Sequence, residues 1–163
     1  MATATYIPIA TQTLGSAAAS ITFNSIPGTY TDLRLVLTCT TSLSADILLQ
    51  FNGDTATNYS ATYLYGGVTS AGSGSDVSVA WIYLTDVSST STTVPSIRTV
   101  DIMSYAGSTN KTMLKTESGD YNGSGQVTVS VGLWRSTAAI TSMLITVSGA
   151  TFATGTIATL WGI

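Results

Sequence analysis

The most polar short segment of the 163-residue chain is Asn52-Gly53-Asp54, which Asn58 follows at close range. Clustered carboxylate and amide oxygens are the ligands that Ca²⁺ takes in proteins, so one interpretation is a calcium loop. Asn-Gly is also a preferred pair in β-hairpin turns, and Asp54 is the only carboxylate in the segment. We therefore predict a turn and assign no metal ligand, while an ion near Asn52 to Asp54 stays open.

Paired carboxylates are the next candidates for chemistry, because two of them flanking a glycosidic bond can hydrolyse it. The candidates are Asp76, Asp86, Asp101, Glu117 and Asp120. Glu117 lies in an alternating segment that predicts a surface position on a strand. Asp76 and Asp120 lie near glycines, where Asp favours turns. A Ser-His-Asp triad is excluded because the chain has no histidine. We predict no catalytic residue, no cofactor and no enzymatic activity.

Cys39 is the only cysteine, so no disulfide can form within the chain. It continues the alternating run Leu33, Leu35, Leu37. We interpret it as a small buried side chain, since a reactive thiolate is usually found beside a cation or a histidine.

The low charge content limits the partners that the chain can bind. Charged residues make up 8% of the chain, against roughly 25% in an ordinary soluble domain. Five basic residues and a net charge of −3 do not build the cationic surface that binding to phosphates requires. No apolar run approaches the ~20 residues that span a bilayer, and the first basic residue is Arg34, so no charged start of a signal peptide is present. We expect no nucleic-acid partner, no membrane partner, and synthesis in a cytoplasm.

A period of two dominates the chain and predicts β-strands. Turn residues separate the apolar runs at intervals of about ten residues, as in sandwiches and barrels. The predicted strands are 4–14, 19–26, 31–40, 46–52, 59–65, 77–86, 96–105, 111–118, 126–135, 140–149 and 156–162. Gly66 to Asp76 and Ser88 to Val94 are predicted to be exposed loops. The fold class is all-β, a single-domain antiparallel β-sandwich with the jelly roll as the favoured form.

Aromatic residues at period two form the remaining pattern. Tyr59, Tyr63 and Tyr65 fall on one face of a predicted strand. Three interpretations stay open: packing in the core, a protein interface, in which Tyr is enriched, or stacking on a sugar.

Three segments, in order along the chain, resemble one family. They are YIPIATQTLGSAAASITFNSIPGTYTDLRLVLT (6–38), LLQFNGDTATNYSATYLYG (48–66) and GTIATLWGI (155–163). Together they resemble small β-rich structural proteins of tailed bacteriophages, those of cyanobacteria and other aquatic bacteria in particular.

The resemblance implies a virion protein, and a capsid decoration (cement) protein on the outer capsid surface fits a domain of this size. Such proteins commonly act as homotrimers, so the expected partners are the major capsid protein and further copies of the chain. The alternative is the receptor-binding or adhesion head of a tail fibre, which would recognise host-surface glycan or protein through the predicted loops.

We expect a short arm at 1–6 and the β-sandwich at 7–163. The candidate residues for capsid or subunit contact are Met1, Ala2, Thr3, Ala4, Thr5, Tyr6, Tyr63 and Tyr65.

Overall fold

A computed structural model describes residues 5–67, 70–85, 90–121 and 124–163. These ranges contain twelve strands and no helix, so none of their segments is a helix that could span a membrane. The strands are β1 (Ile7–Thr13), β2 (Ser20–Phe23), β3 (Leu33–Cys39), β4 (Ile47–Phe51), β5 (Tyr59–Gly66), β6 (Ala71–Val79), β7 (Ile82–Tyr83), β8 (Ser96–Ile102), β9 (Lys111–Tyr121), β10 (Ser124–Trp134), β11 (Met143–Val147) and β12 (Ile157–Gly162).

The strands form two antiparallel sheets that pack together. The large sheet has the order β1-β12-β3-β8-β9-β10-β5-β6, and the small sheet has the order β2-β11-β4-β7. The all-β prediction and the antiparallel two-sheet arrangement are confirmed, with eight strands in one sheet and four in the other.

The core lies between the sheets because alternate residues of each strand point toward the other sheet. Leu33, Leu35 and Leu37 of β3 are fully buried there, and Leu49 and Ile145 meet them from the small sheet. We call the side of the large sheet that carries Leu33, Leu35 and Leu37 its inner face, and the opposite side its outer face. Cys39 continues the inner row and is buried, as predicted.

One predicted loop is wrong. Residues 71–76 belong to strand β6, which pairs with β5 along its whole length. Hydrogen bonds along an edge strand need no apolar side chains, so the Ser/Gly-rich sequence gave no strand signal. Gly72 and Gly74 fit this position because the rings of Tyr65 and Tyr63 lie across them, and a Cβ at Gly72 would be 2.7 Å from the Tyr65 hydroxyl. In the second predicted loop, residues 88–89 lie outside the described ranges, and the described residues 90–94 form no strand.

The turn at Asn52-Gly53 is present, with positive φ at both residues (53° and 68°). It links β4 of the small sheet to β5 of the large sheet, so it connects the two layers and is not a hairpin turn.

Candidate binding face

The predicted contact residues do not form one surface. Met1, Ala2, Thr3 and Ala4 lie outside the described residues. Thr5 and Tyr6 are exposed just before β1. Tyr63 and Tyr65 are half-buried on the inner face, opposite Ser130 and Thr128 of β10. Tyr6 lies over Arg34, which points to the outer face, so Tyr6 and the pair Tyr63 and Tyr65 are on opposite sides of the large sheet.

Five exposed apolar side chains cluster on the outer face, and sequence reasoning did not single them out. The cross-strand register places Leu64 opposite Val129, and Leu114 opposite Val131. We call this cluster the apolar patch: Leu64 (64% exposed), Leu114 (40%), Val127 (53%), Val129 (44%) and Val131 (56%).

The usual pattern of burial is inverted in the strands that carry the patch. In β10 the polar residues Gln126, Thr128 and Ser130 are buried on the inner face, while the intervening valines are exposed. In β9, Lys115 and Glu117 are buried, while Leu114 just before them and Thr116 between them are exposed. The prediction of a surface position for Glu117 is therefore wrong. Alternation reveals that a strand has two unlike faces, but it does not say which face meets the core.

An ion pair accounts for the burial of Glu117. Arg98 Nη2 donates to Glu117 Oε1 at 2.7 Å, and Arg98 Nε donates to the Leu84 carbonyl at 2.8 Å. Arg98 Nη1 also donates to Ser96 Oγ and, at 3.6 Å, to Cys39 Sγ. Burial raises the pKa of the Cys39 thiol, an effect that outweighs the nearby Arg98 cation. Both ions are thus held by hydrogen bonds, which a buried charge requires.

Each lysine is likewise engaged in holding a loop or a strand. Lys111 Nζ donates to the carbonyls of Gly107 and Thr109, and Lys115 Nζ donates to the Tyr83 carbonyl. Burial lowers the pKa of Lys111. These cations anchor neighbouring backbone, which leaves little positive charge on the surface.

An aromatic cleft of about 320 Å³ also lies on the outer face, lined by Tyr6, Arg34 and Trp161, and strand β8 separates it from the apolar patch. Arg34 donates to both oxygens of Asp101, at 2.5 and 2.6 Å, and its guanidinium lies 5.2 Å from the centre of the Tyr6 ring. The hydrogen bonds from Arg34 to Asp101 raise the pKa of Arg34 despite partial desolvation. The charges of the pair cancel, so the cleft combines aromatic walls with a neutral polar floor.

Asp54 organises the turn that follows β4. Its carboxylate accepts hydrogen bonds from Trp134 Nε1 at 2.7 Å, from Asn58 Nδ2 at 2.9 Å and from the Ala56 backbone N–H at 2.9 Å. Desolvation acts to raise the pKa of Asp54, but these hydrogen bonds outweigh it and lower the pKa. Among the described residues no group of three metal-ligating side chains is present. The oxygens of Asp54 are engaged in structural hydrogen bonds.

Phe51, Tyr59 and Trp134 form an aromatic cluster next to this turn. The Tyr59 ring stacks on Trp134 with centroids 6.2 Å apart, and Phe51 meets Trp134 at 5.4 Å. The Tyr59 hydroxyl donates to the Asp54 carbonyl at 3.2 Å, and burial raises the pKa of Tyr59 to about 12. Of the three open interpretations, core packing holds for Tyr59.

Among the described candidate carboxylates, Asp101 and Glu117 do not form a hydrolytic pair. Asp101 lies on the outer face and Glu117 on the inner face, so these two cannot flank one glycosidic bond. Asp76 lies in β6 instead of the predicted turn. Asp86 and the side chain of Asp120 lie outside the described part of the chain.

A scan against protein-family models returns no match. Searches of the curated proteins and of the solved structures return no significant match either.

Proposed function

We propose that this chain is a structural protein of a tailed-phage virion, a capsid decoration (cement) protein that binds the major capsid protein on the outer shell. The observation that carries the proposal is the apolar patch, which strands β9, β10 and β5 expose on the outer face of the large sheet. A virion protein that works by assembly needs an exposed apolar contact surface of this kind, and it needs no catalytic group. The resemblance of the three sequence segments to phage structural proteins supplies the virion context.

Stabilisation of the shell follows from binding alone. A protein that binds the assembled shell and not its dissociated subunits stabilises the shell by mass action. A homotrimer engages three shell subunits together, so weak single contacts add through effective concentration. We propose the arm at 1–6 as a contact with capsid or subunit, Tyr63 and Tyr65 as a separate contact on the inner face, and a jelly-roll path for the chain.

Phage heads that lack this protein provide the test. We expect the purified chain to co-sediment with such heads and to raise their rupture temperature. Deletion of residues 1–5 should reduce occupancy, whereas Leu43→Ser, at an exposed apolar residue between β3 and β4, should not. Heads that bind none of the wild-type chain would refute the decoration role. Full occupancy by the deletion variant would refute only the role of the arm.

A second candidate function is the adhesion head of a tail fibre, and the aromatic cleft favours it. Binding sites for small ligands combine apolar and aromatic walls with a few polar groups that fix orientation. Because the Arg34–Asp101 pair is neutral overall, the cleft suits an uncharged, hydroxyl-bearing ligand such as a host-surface glycan.

A glycan array distinguishes this second function. Binding that disappears in Trp161→Ala and survives in Tyr65→Ala, an aromatic change on the inner face, would favour adhesion. An array without binding, together with full occupancy on heads, would contradict it.

A further inference from the structure

We propose that a second copy of this chain covers the outer face of the large sheet, with the apolar patch at the centre of the contact. The inference concerns self-association and does not depend on the virion role. It also places the contact between copies on a surface that the sequence did not indicate.

The inverted burial in β9 and β10 indicates that a further layer covers the outer face. A strand that alternates apolar and polar residues normally turns its apolar side toward a buried layer. Strand β10 does the reverse within one chain, since it exposes Val127, Val129 and Val131 and buries Thr128 and Ser130. A second layer against the outer face would bury these valines, so that β10 would be covered on both faces.

The charge of the outer face selects a second copy as the occupant. When a surface packs against its own copy, any net charge on it meets the same charge and repels it. The described outward side chains of β5, β9 and β10 carry no charge, and a single cation, Arg135, lies at the margin of the face, where it donates to Ser60 Oγ at 2.6 Å. In the neighbouring strands β3 and β8, Arg34 and Asp101 neutralise each other. The face is therefore compatible with a copy of itself.

The side chains in the contact also have little conformational freedom to lose. Most of the patch is Val, and the surrounding outward positions include Thr62, Thr99 and Thr116. β-Branched side chains are already restricted at χ1, whereas ordering longer side chains at an interface carries a larger entropic penalty. An apolar centre with a hydroxyl-bearing margin also matches the core and rim of stable protein interfaces.

The outer face is large enough to form a stable interface between two copies. Eight strands about 4.8 Å apart, each contributing some seven residues, give roughly 800 Å² per copy. A standard stable interface buries about 800 Å² on each partner. The contact thus needs most of the outer face, and it would cover the aromatic cleft as well as the patch.

The test is the oligomeric state of the full chain, measured by sedimentation velocity over a range of concentrations. We compare wild type with Val129→Lys and with the control Val94→Lys. Val129 and Val94 are each 44% exposed, but Val94 precedes β8 and lies outside both sheets. An unpaired lysine at the centre of an interface should weaken self-association by about a hundredfold or more. The control should associate as wild type does.

Because a face that packs against the same face of its copy forms a two-fold pair, a dimer or another even-numbered oligomer that dissociates in Val129→Lys alone supports the proposal, and a trimer overturns it. A monomeric wild type overturns it, as does an oligomer that is unchanged in Val129→Lys or lost equally in Val94→Lys. Circular dichroism checks the fold, and Leu64→Glu, at the residue opposite Val129, replaces any variant that does not fold. A chain that self-associates but ignores phage heads would uphold this inference and contradict the decoration role.

Discussion

Replacement of Glu117 by Gln tests whether the inner face depends on its buried ion pair. The side chains of Arg98 and Glu117 are only 2% and 6% exposed, with 2.7 Å between Nη2 and Oε1. Glutamine keeps the shape and one acceptor oxygen but leaves the Arg98 cation without a compensating charge. Removing one partner of a buried ion pair typically costs about 3–5 kcal/mol.

The same chain contains a matched control. Arg34 and Asp101 also form a cross-strand pair from adjacent strands, at 2.5 Å, but their side chains are 35% and 15% exposed on the outer face. Solvent screens this pair, so Asp101→Asn should cost about 0.2–1 kcal/mol. Urea unfolding followed by tryptophan fluorescence gives the free energy of unfolding for both variants.

The double variant Arg98→Met/Glu117→Leu removes both charges of the pair, whereas Glu117→Gln removes one and leaves the Arg98 cation uncompensated. Comparing the two separates the contribution of the ion pair from the cost of an unpaired buried charge. Because apolar residues often replace a buried ion pair at little net cost, the double variant should be more stable than Glu117→Gln. The reasoning is refuted if Glu117→Gln is destabilised by no more than Asp101→Asn. A double variant less stable than Glu117→Gln would show that the pair, and not the uncompensated charge, supplies the stability.

Three further changes have defined outcomes. Gly74→Ala should destabilise the fold by about 1–3 kcal/mol, because its Cβ would lie 2.4 Å from the Tyr63 ring; Gly15→Ala, in open space, should change little in the same thermal melts. Asp54 has a lowered pKa, so its contribution is present above the unfolded pKa and is lost as pH falls through the folded pKa. Asp54→Asn should therefore flatten the acid limb of the stability curve below about pH 4; an unchanged limb contradicts this. Burial raises the pKa of Cys39, and its thiol should react with Ellman's reagent much faster in denaturant than in the native protein; equal rates would contradict its burial.

The strands were predictable because their signal is local. Alternating Leu33, Leu35 and Leu37 indicates β3 without knowledge of any neighbour, and positive φ at Asn52 and Gly53 agrees with their preference for turns. Residues 71–76 of β6 were missed because Gly72 and Gly74 give no strand signal of their own. These glycines fit beneath the tyrosine rings of the adjacent strand, and that relation between strands is not visible in the local sequence.

The candidate site was not predictable for a related reason. Alternation along the strand puts Val129 and Thr128 on opposite faces, and likewise Leu114 and Lys115. The alternation is the same whichever of the two faces meets the core, so it does not determine which one is buried. Hydrophobicity favours the arrangement that buries valine, and the structure has the other. The choice is fixed by partners distant in sequence, such as Arg98 for Glu117 and the Tyr83 carbonyl for Lys115.

The low charge and the inverted burial together determine how well the outer face is protected from association with other chains. Of its five basic residues, Arg98, Lys111 and Lys115 are buried and Arg34 is paired, which leaves Arg135 beside Ser60 as one cation at the margin of the outer face. Repulsion between like charges therefore offers this face little protection from association. Soluble proteins usually carry charged side chains of both signs on their exposed surfaces and avoid large apolar patches there. Here the lysines face inward and threonine and valine face outward. That arrangement is a liability for a lone chain and an advantage for one that is covered by its own copies, which is the distinction that Val129→Lys tests.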